Sequence, residues 1–429
     1  MLHLRSAHLL LLHATLRGIY ELSRLFGLMA ATLPQMSGNG NVADVRCSRY
    51  WRLHGYLVAV FVLCYSPHAF YMIYTRMDFL RQNALLFIVG CQHFALLLVS
   101  TVFMVYMHTT RQMCIIRWLN KLLSCRRQLL QLLHTRRLRE SLRQLHTRDH
   151  LWTVFLLSAS IVGSSSHSVF VLSTDPMSQR SGTYFCSVLF YYGLQLGLQL
   201  CLGLYVLALL LISHLLHHCN LLLDRILSDA VQVHQSLVKW GMPQRWRLHA
   251  AQQHWLALEL WRLWRLHGQL LQLSQRLCSF HSIQLLAFVA FVSIECVLHI
   301  FFSYFVQFSR WWLRKFRQPA PFNIYGLITI SSLFVQLAFV IMQTHRLRCI
   351  YCKTRRTLSR AALAVPPSCS KALRQTLDFY GLQLQLNERI YKMSACGLFE
   401  MNNALLFDIM QTILIYVTIL IQFDKIINA

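Results

Sequence analysis

Long apolar runs alternate with basic, polar stretches along this chain. A membrane-spanning helix needs about 20 mostly apolar residues. Seven segments meet that demand: Leu53–Tyr74, Asn83–Met107, Leu151–Ser173, Tyr184–Ser213, Ile283–Phe308, Phe322–Thr344 and Asn402–Phe423. The third is the weakest, because Ser164-Ser165-Ser166-His167-Ser168 interrupts it. Pro67 lies inside the first, where a kink is tolerated if neighbouring helices satisfy the freed carbonyl. The stretch Ile19–Leu33 is too short and too interrupted to span, and it is expected to form an amphipathic interfacial helix. Leu9–Leu12 is bracketed by His8 and His13 with no small-residue cleavage site after it, so it does not read as a signal peptide.

Composition agrees with that pattern. Of 429 residues, 56% are hydrophobic and only 13% charged, against roughly 25% charged in soluble domains. The net charge of +26 would suggest nucleic acid in a soluble protein. Here the basic residues fall between apolar segments, which points to membrane lipids as partners and to no nucleic acid. Of the 41 Lys and Arg, 33 lie before Leu53 or in the loops His108–His150, His214–Ser282 and His345–Met401. The positive-inside rule then places the N-terminus in the cytoplasm. Seven spans place the C-terminus outside. The expected fold is an all-α polytopic membrane protein. Residues 1–52 form a cytoplasmic N-terminal segment, and 53–344 hold six spans with helical cytoplasmic extensions at 214–282. Residues 345–401 form a cytoplasmic anchor, and 402–429 the last span with a short extracellular tail.

The loop His214–Ser282 carries Trp246, Trp255, Trp261 and Trp264 among Arg245, Arg247, Arg262 and Arg265. That spacing suits transmembrane helices that extend into the cytoplasm and pack there. Pro366-Pro367 precedes an amphipathic helix over Lys371–Met393, and Gly397 separates that helix from the last span.

Catalytic sets are missing: there is no nucleophile elbow, no phosphate-binding loop and no paired carboxylates, so the chain is not expected to be an enzyme. His214, His217, His218 and Cys219 share a helix turn, but no second pair completes a tetrahedral set. Cys349 and Cys352 lack a partner pair. No metal or other cofactor is expected.

The last span carries the sharpest pattern. Asp408, Gln411, Ile415, Thr418 and Gln422 recur at spacings of 3, 4, 3 and 4, which is one face of one helix. Polar groups are costly against lipid, so this face should meet protein or water. It fits a pore lining built from several copies. It fits equally a hydrogen-bonded seam between helices.

The same segment resembles the signature of insect gustatory receptors. Tyr416 is followed by five mostly apolar residues and then Gln422-Phe423, although Ile415 replaces the usual Thr and Thr418 stands at an apolar position. Upstream, Phe379, Gln383 and Leu384 resemble the helix that precedes the break in that family. Gly397-Leu-Phe399 followed by Asn402 or Asn403 resembles its turn. The resemblance implies a plasma-membrane receptor of sensory neurons that works as a homo- or heterotetrameric ligand-gated cation channel. In it Gln422 would form the gate, Phe423 would support it, Tyr416 would pack behind the pore wall, and Thr412 and Thr418 would line the path. Sugar-type members often carry Glu after the Tyr, and Val417 here favours a small non-sugar, aversive tastant. The ligand pocket would lie in the outer halves of the second to sixth spans. Candidates there are Ser165, His167, Tyr191, Tyr192, Gln195, Glu295, His299, Tyr304 and Tyr325. Glu295 is the foremost, because an intramembrane carboxylate is a functional suspect.

Two rivals are an insect odorant receptor-type channel subunit and a G-protein-coupled chemoreceptor. The latter is opposed by the absence of Asp-Arg-Tyr and Asn-Pro-x-x-Tyr and by the charge-derived orientation. A transporter is opposed by the lack of an internal repeat.

Overall fold

The computed structural model describes residues 2–32, 45–76, 84–135, 152–166, 181–240, 246–308, 320–364, 370–386 and 394–427. In chain order these form α1 (Leu2–Leu25), β1 (Ala31–Thr32), β2 (Arg46–Cys47), α2 (Arg49–Arg76), α3 (Ala84–Thr110) and α4 (Gln112–Thr135). Then come α5 (Trp152–Ser166), α6 (Gly182–Trp240), α7 (Trp246–Phe308) and α8 (Ala320–Ala364). The chain closes with α9 (Lys371–Leu386), the hairpin strands β3 (Ser394–Ala395) and β4 (Phe399–Glu400), and α10 (Asn403–Ile427). Helices α2, α3, α6, α7, α8 and α10 are long and apolar enough to cross a membrane, and α5 is a shorter apolar helix. The weak third span is thus represented by α5, and 167–173 lies outside the described residues.

Three helices far outrun a bilayer. α6 has 59 residues, α7 63 and α8 45. At 1.5 Å per residue they reach about 65–95 Å, against about 30 Å of hydrocarbon. The extensions expected over 214–282 are therefore continuations of α6 and α7, each unbroken through its own described range.

Sequence spacing explains why α6 and α7 pair. On α6 the fully buried positions Tyr205, Leu209, Ile212, Leu216, Cys219, Leu223 and Ile226 recur at alternating steps of four and three. On α7 Leu260, Leu263, His267, Leu270, Ser274, Leu277, His281, Gln284, Phe288, Phe291 and Glu295 do the same. A 3.5-residue repeat keeps one seam facing the partner helix, as in coiled coils. α7 is the hub of the fold: α3, α4, α6, α8, α9, β3 and α10 all pack on it. Cross-links fasten the extensions. Trp118 Nε1 on α4 donates to Leu273 O at 2.9 Å. Asn220 Nδ2 donates to Ile350 O at 3.1 Å, and Thr354 Oγ1 donates to Asn220 Oδ1 at 2.6 Å. Tyr351 OH donates to Leu384 O on α9.

Two boundaries differ from the sequence expectation. The N-terminal helix runs from Leu2 to Leu25 rather than from Ile19 to Leu33. Gly27 has φ +71°, a left-handed turn that stops a helix, and Gly55 of α2 packs against its Cα. The helix expected over Lys371–Met393 is described only to Leu386, with 387–393 outside the described residues. The break at Gly397 is a tight hairpin in which Cys396 (φ 52°) and Gly397 (φ 76°) both take the left-handed conformation. Asn402 then caps α10, its Oδ1 accepting from Leu405 N at 3.1 Å.

Candidate functional site

Glu295 lies on the α7 seam at the end of the bundle away from the long extensions. Such a carboxylate must find partners, because an unpaired buried charge costs several kcal/mol. His93 of α3 supplies one: its Nε2 lies 2.7 Å from Glu295 Oε2, an ion-pair contact rather than an aligned hydrogen bond. His299, one turn along α7, places Nε2 3.2 Å from Glu295 Oε1. Tyr191 OH of α6 meets His93 Nδ1 at 2.5 Å. The His93 ring stacks on Phe291, and Tyr192 packs edge-on against Tyr191. α8 approaches through Gly326, where a side chain would come within 3.2 Å of His299 Nδ1. Four helices therefore converge on one polar chain, Tyr191–His93–Glu295–His299, inside an aromatic wall.

The structure brings Tyr191, Tyr192, Glu295 and His299 together and adds His93, which sequence reasoning missed. His93 is one of 21 histidines and sits in a span that also holds Gln92, Ser100 and Thr101, so its spacing alone carried no mark. Gln195 is buried one turn from Tyr191 on α6. Tyr325 precedes Gly326, and the Tyr304 ring stacks on Phe301 further along α7. Ser165 donates to its own helix at Ile161 O, 3.0 Å away. Its neighbour Ser164 makes the cross-helix bond instead, to Gln199 Oε1 at 2.5 Å. His167 lies outside the described residues.

The second candidate region is the last helix. Leu405, Ile409, Ile413 and Val417 are buried, and α10 packs on α7. Asp408, Gln411, Ile415, Thr418 and Gln422 are all exposed. At about 100° per residue the two stripes lie on opposite sides of α10. Among the described residues the polar stripe is thus no seam within this chain. Tyr416 (58% exposed) and Phe423 (52%) share a flank between the stripes. Thr412 is exposed too, and Thr412 and Thr418 donate to Asp408 O and Leu414 O of their own helix.

The other polar motifs are less developed. His214 and His218 face each other at 3.0 Å. Cys349 Sγ meets His345 Nε2 at 3.3 Å on an exposed face, and Cys352 is exposed as well.

Comparison with known proteins sets these geometries in context. Residues 16–427 match the family model described as 7tm Chemosensory receptor. A Drosophila melanogaster protein that carries the name gustatory receptor 77a is 43% identical over 412 residues, covering 96% of this chain and 91% of that relative. Among solved structures, the insect olfactory receptor OR5 from Machilis hrabei superposes with a TM-score of 0.59 at 12% identity. That match covers 96% of this chain and 99% of the other, and it indicates a common fold.

Proposed function

The chain belongs to the 7tm chemosensory receptor family, a family of multi-pass insect receptors rather than enzymes, and we propose that it is a ligand-gated cation channel for contact chemicals. The reading places it in the plasma membrane of sensory neurons, with the N-terminus in the cytoplasm. One observation carries it: the polar stripe of α10 lies opposite the face that packs on α7. A polar face on an apolar helix is costly against lipid, so it calls for water or for copies of itself. Four copies about an axis would give rings of Asp408, Thr418 and Gln422, with Gln422 at the gate and Tyr416 and Phe423 packed between neighbouring chains. Homo- and heteromeric assemblies both satisfy that demand.

The ligand site in this reading is the polar chain around Glu295. Aromatic walls with a few converging polar groups suit a small organic tastant. Glu295 and His299 would select ligands that donate or accept hydrogen bonds, and Tyr192, Gln195, Tyr304 and Tyr325 would shape the walls. Val417, where sugar-type members often carry Glu, favours a non-sugar ligand in this reading. The network touches α7, and α7 carries α10, so a ligand that moves Glu295 acts on the helix that holds the pore helix.

The test is current in a heterologous cell exposed to a tastant panel without added G protein. Gln422→Ala, Thr418→Ala and Asp408→Asn are compared with the unaltered chain. Ligand-evoked cation current whose conductance or resting leak changes in these variants supports the reading. Current indifferent to all three places the pore elsewhere.

A further inference from the structure

A second group of buried ligating side chains lies on the same helices, nearer the end that carries the long extensions. His108 closes α3, Cys201 lies in α6, and His281 lies on the α7 seam. One ligand atom from each lies within 4.8 Å of the other two, and all three residues are buried, Cys201 completely. Cys201 Sγ is 3.5 Å from His108 Nε2. Nitrogen and sulfur ligands about 2.0–2.3 Å from a tetrahedral zinc ion stand about 3.5 Å apart.

We propose that His108, Cys201 and His281 form a zinc site that ties α3, α6 and α7 together. His281 Nδ1 lies 3.1 Å from Leu277 O. Donation there fixes the tautomer and leaves Nε2 as a ligand, the outer-shell arrangement that zinc-binding histidines favour. A mutual hydrogen bond between Cys201 and His108 accounts for that pair alone. His281 also packs its ring edge-on against His108 and tilted against Tyr205, but none of these contacts accounts for Gln284. Gln284 sits one turn along α7, is 5% exposed, and has neither its amide nitrogen nor its oxygen hydrogen-bonded among the described residues. It lines, with His108, Arg111 and His281, a cavity of about 10 Å³, the size that admits a single water. A fourth ligand would come from Gln284 Oε1 or from such a water. Binding converts the Cys201 thiol to thiolate and releases one proton to solvent. Two imidazoles and one thiolate suit borderline Zn²⁺ rather than hard Mg²⁺ or Ca²⁺.

The site has a structural neighbour of consequence. Cys278, one turn before His281, donates to Ser394 O at 3.6 Å in the hairpin that leads into α10. Zinc on His281 would hold the turn of α7 from which the last helix hangs. The metal site itself does not depend on the channel reading.

The experiment uses the full chain in lipid nanodiscs, stripped with a chelator and titrated with Co²⁺ as a spectroscopic stand-in for Zn²⁺. The expected result is a thiolate-to-cobalt charge-transfer band with four-coordinate ligand-field bands, saturating at about one equivalent per chain and displaced by Zn²⁺. Cys201→Ala should abolish the charge-transfer band and Cys349→Ala should keep it. His281→Gln should weaken uptake by more than the roughly 10–100-fold that loss of an outer-shell partner costs. The unaltered chain decides the matter even if a variant fails to fold: absence of the band there overturns the site. A band that survives Cys201→Ala, or one that requires Cys349, overturns it as well.

Discussion

Two polar regions of this receptor treat the same problem in opposite ways. Around Glu295, side chains from α3, α6 and α7 close on one another, so the carboxylate has two imidazoles within 3.2 Å. Along α10, Asp408, Gln411, Thr418 and Gln422 stay on the surface, opposite the face that binds α7. Among the described residues the first region finds its partners within one chain, while the second stays exposed. Polar groups at membrane depth must be satisfied somewhere. In the proposed reading the closed region would serve ligand selection, and the open one would meet water or further chains.

That contrast can be broken by mutation. The largest effect is expected from His93→Ala, which leaves Glu295 with His299 alone. Removing one partner of a buried ion pair costs about 3–5 kcal/mol, visible as a lower Tm of the detergent-solubilised protein and as lost surface expression. An unchanged Tm would show that the network is not closed as described. Next comes Ile413→Ala on the buried face of α10, at about 2–5 kcal/mol. Ile415→Ala on the opposite face should stay within about 0.5 kcal/mol. Equal losses at the two positions would dissolve the distinction between the stripes.

Glu295→Gln sharpens the comparison at a smaller scale. It keeps the shape and removes the charge, so surface expression should persist while the agonist dose–response moves by about tenfold, or about 1.4 kcal/mol. A superposable dose–response at normal expression would remove Glu295 from the ligand site. The smallest expected change is in Thr418→Val. The Thr418 hydroxyl bonds only to Leu414 O of its own helix, so stability should move by less than about 0.5 kcal/mol while conductance changes.

Much of this was legible in the sequence because it depends on local periodicity. Apolar run length marks the spans, the alternating three and four steps mark the α10 stripe, and Pro366-Pro367 and Gly397 flag the breaks. The ligand candidates Tyr191, Glu295 and His299 could be named because a carboxylate and aromatic rings stand out in apolar helices. What escaped was contact between distant segments. His93 meets Glu295 across about 200 residues of chain, and Cys201 lies 93 residues from His108, so neither has a local signal. The N-terminal helix was misjudged because the stop comes from the left-handed turn at Gly27 and its packing on Gly55, a tertiary contact. The seam reading of the α10 stripe could not be excluded from spacing either. What bears on it is that α7 packs on the opposite face among the described residues.

The most direct test of the central claim, that the polar stripe of α10 faces water in the assembled receptor, is cysteine accessibility along that helix. Thr418→Cys, Gln422→Cys and Ile413→Cys would be expressed separately, and ligand-evoked current recorded before and after a charged methanethiosulfonate reagent, with the unaltered chain as the background control. Block at Thr418→Cys and Gln422→Cys, with none at Ile413→Cys, is the predicted result. Block at Ile413→Cys with protection at both stripe positions would contradict the account.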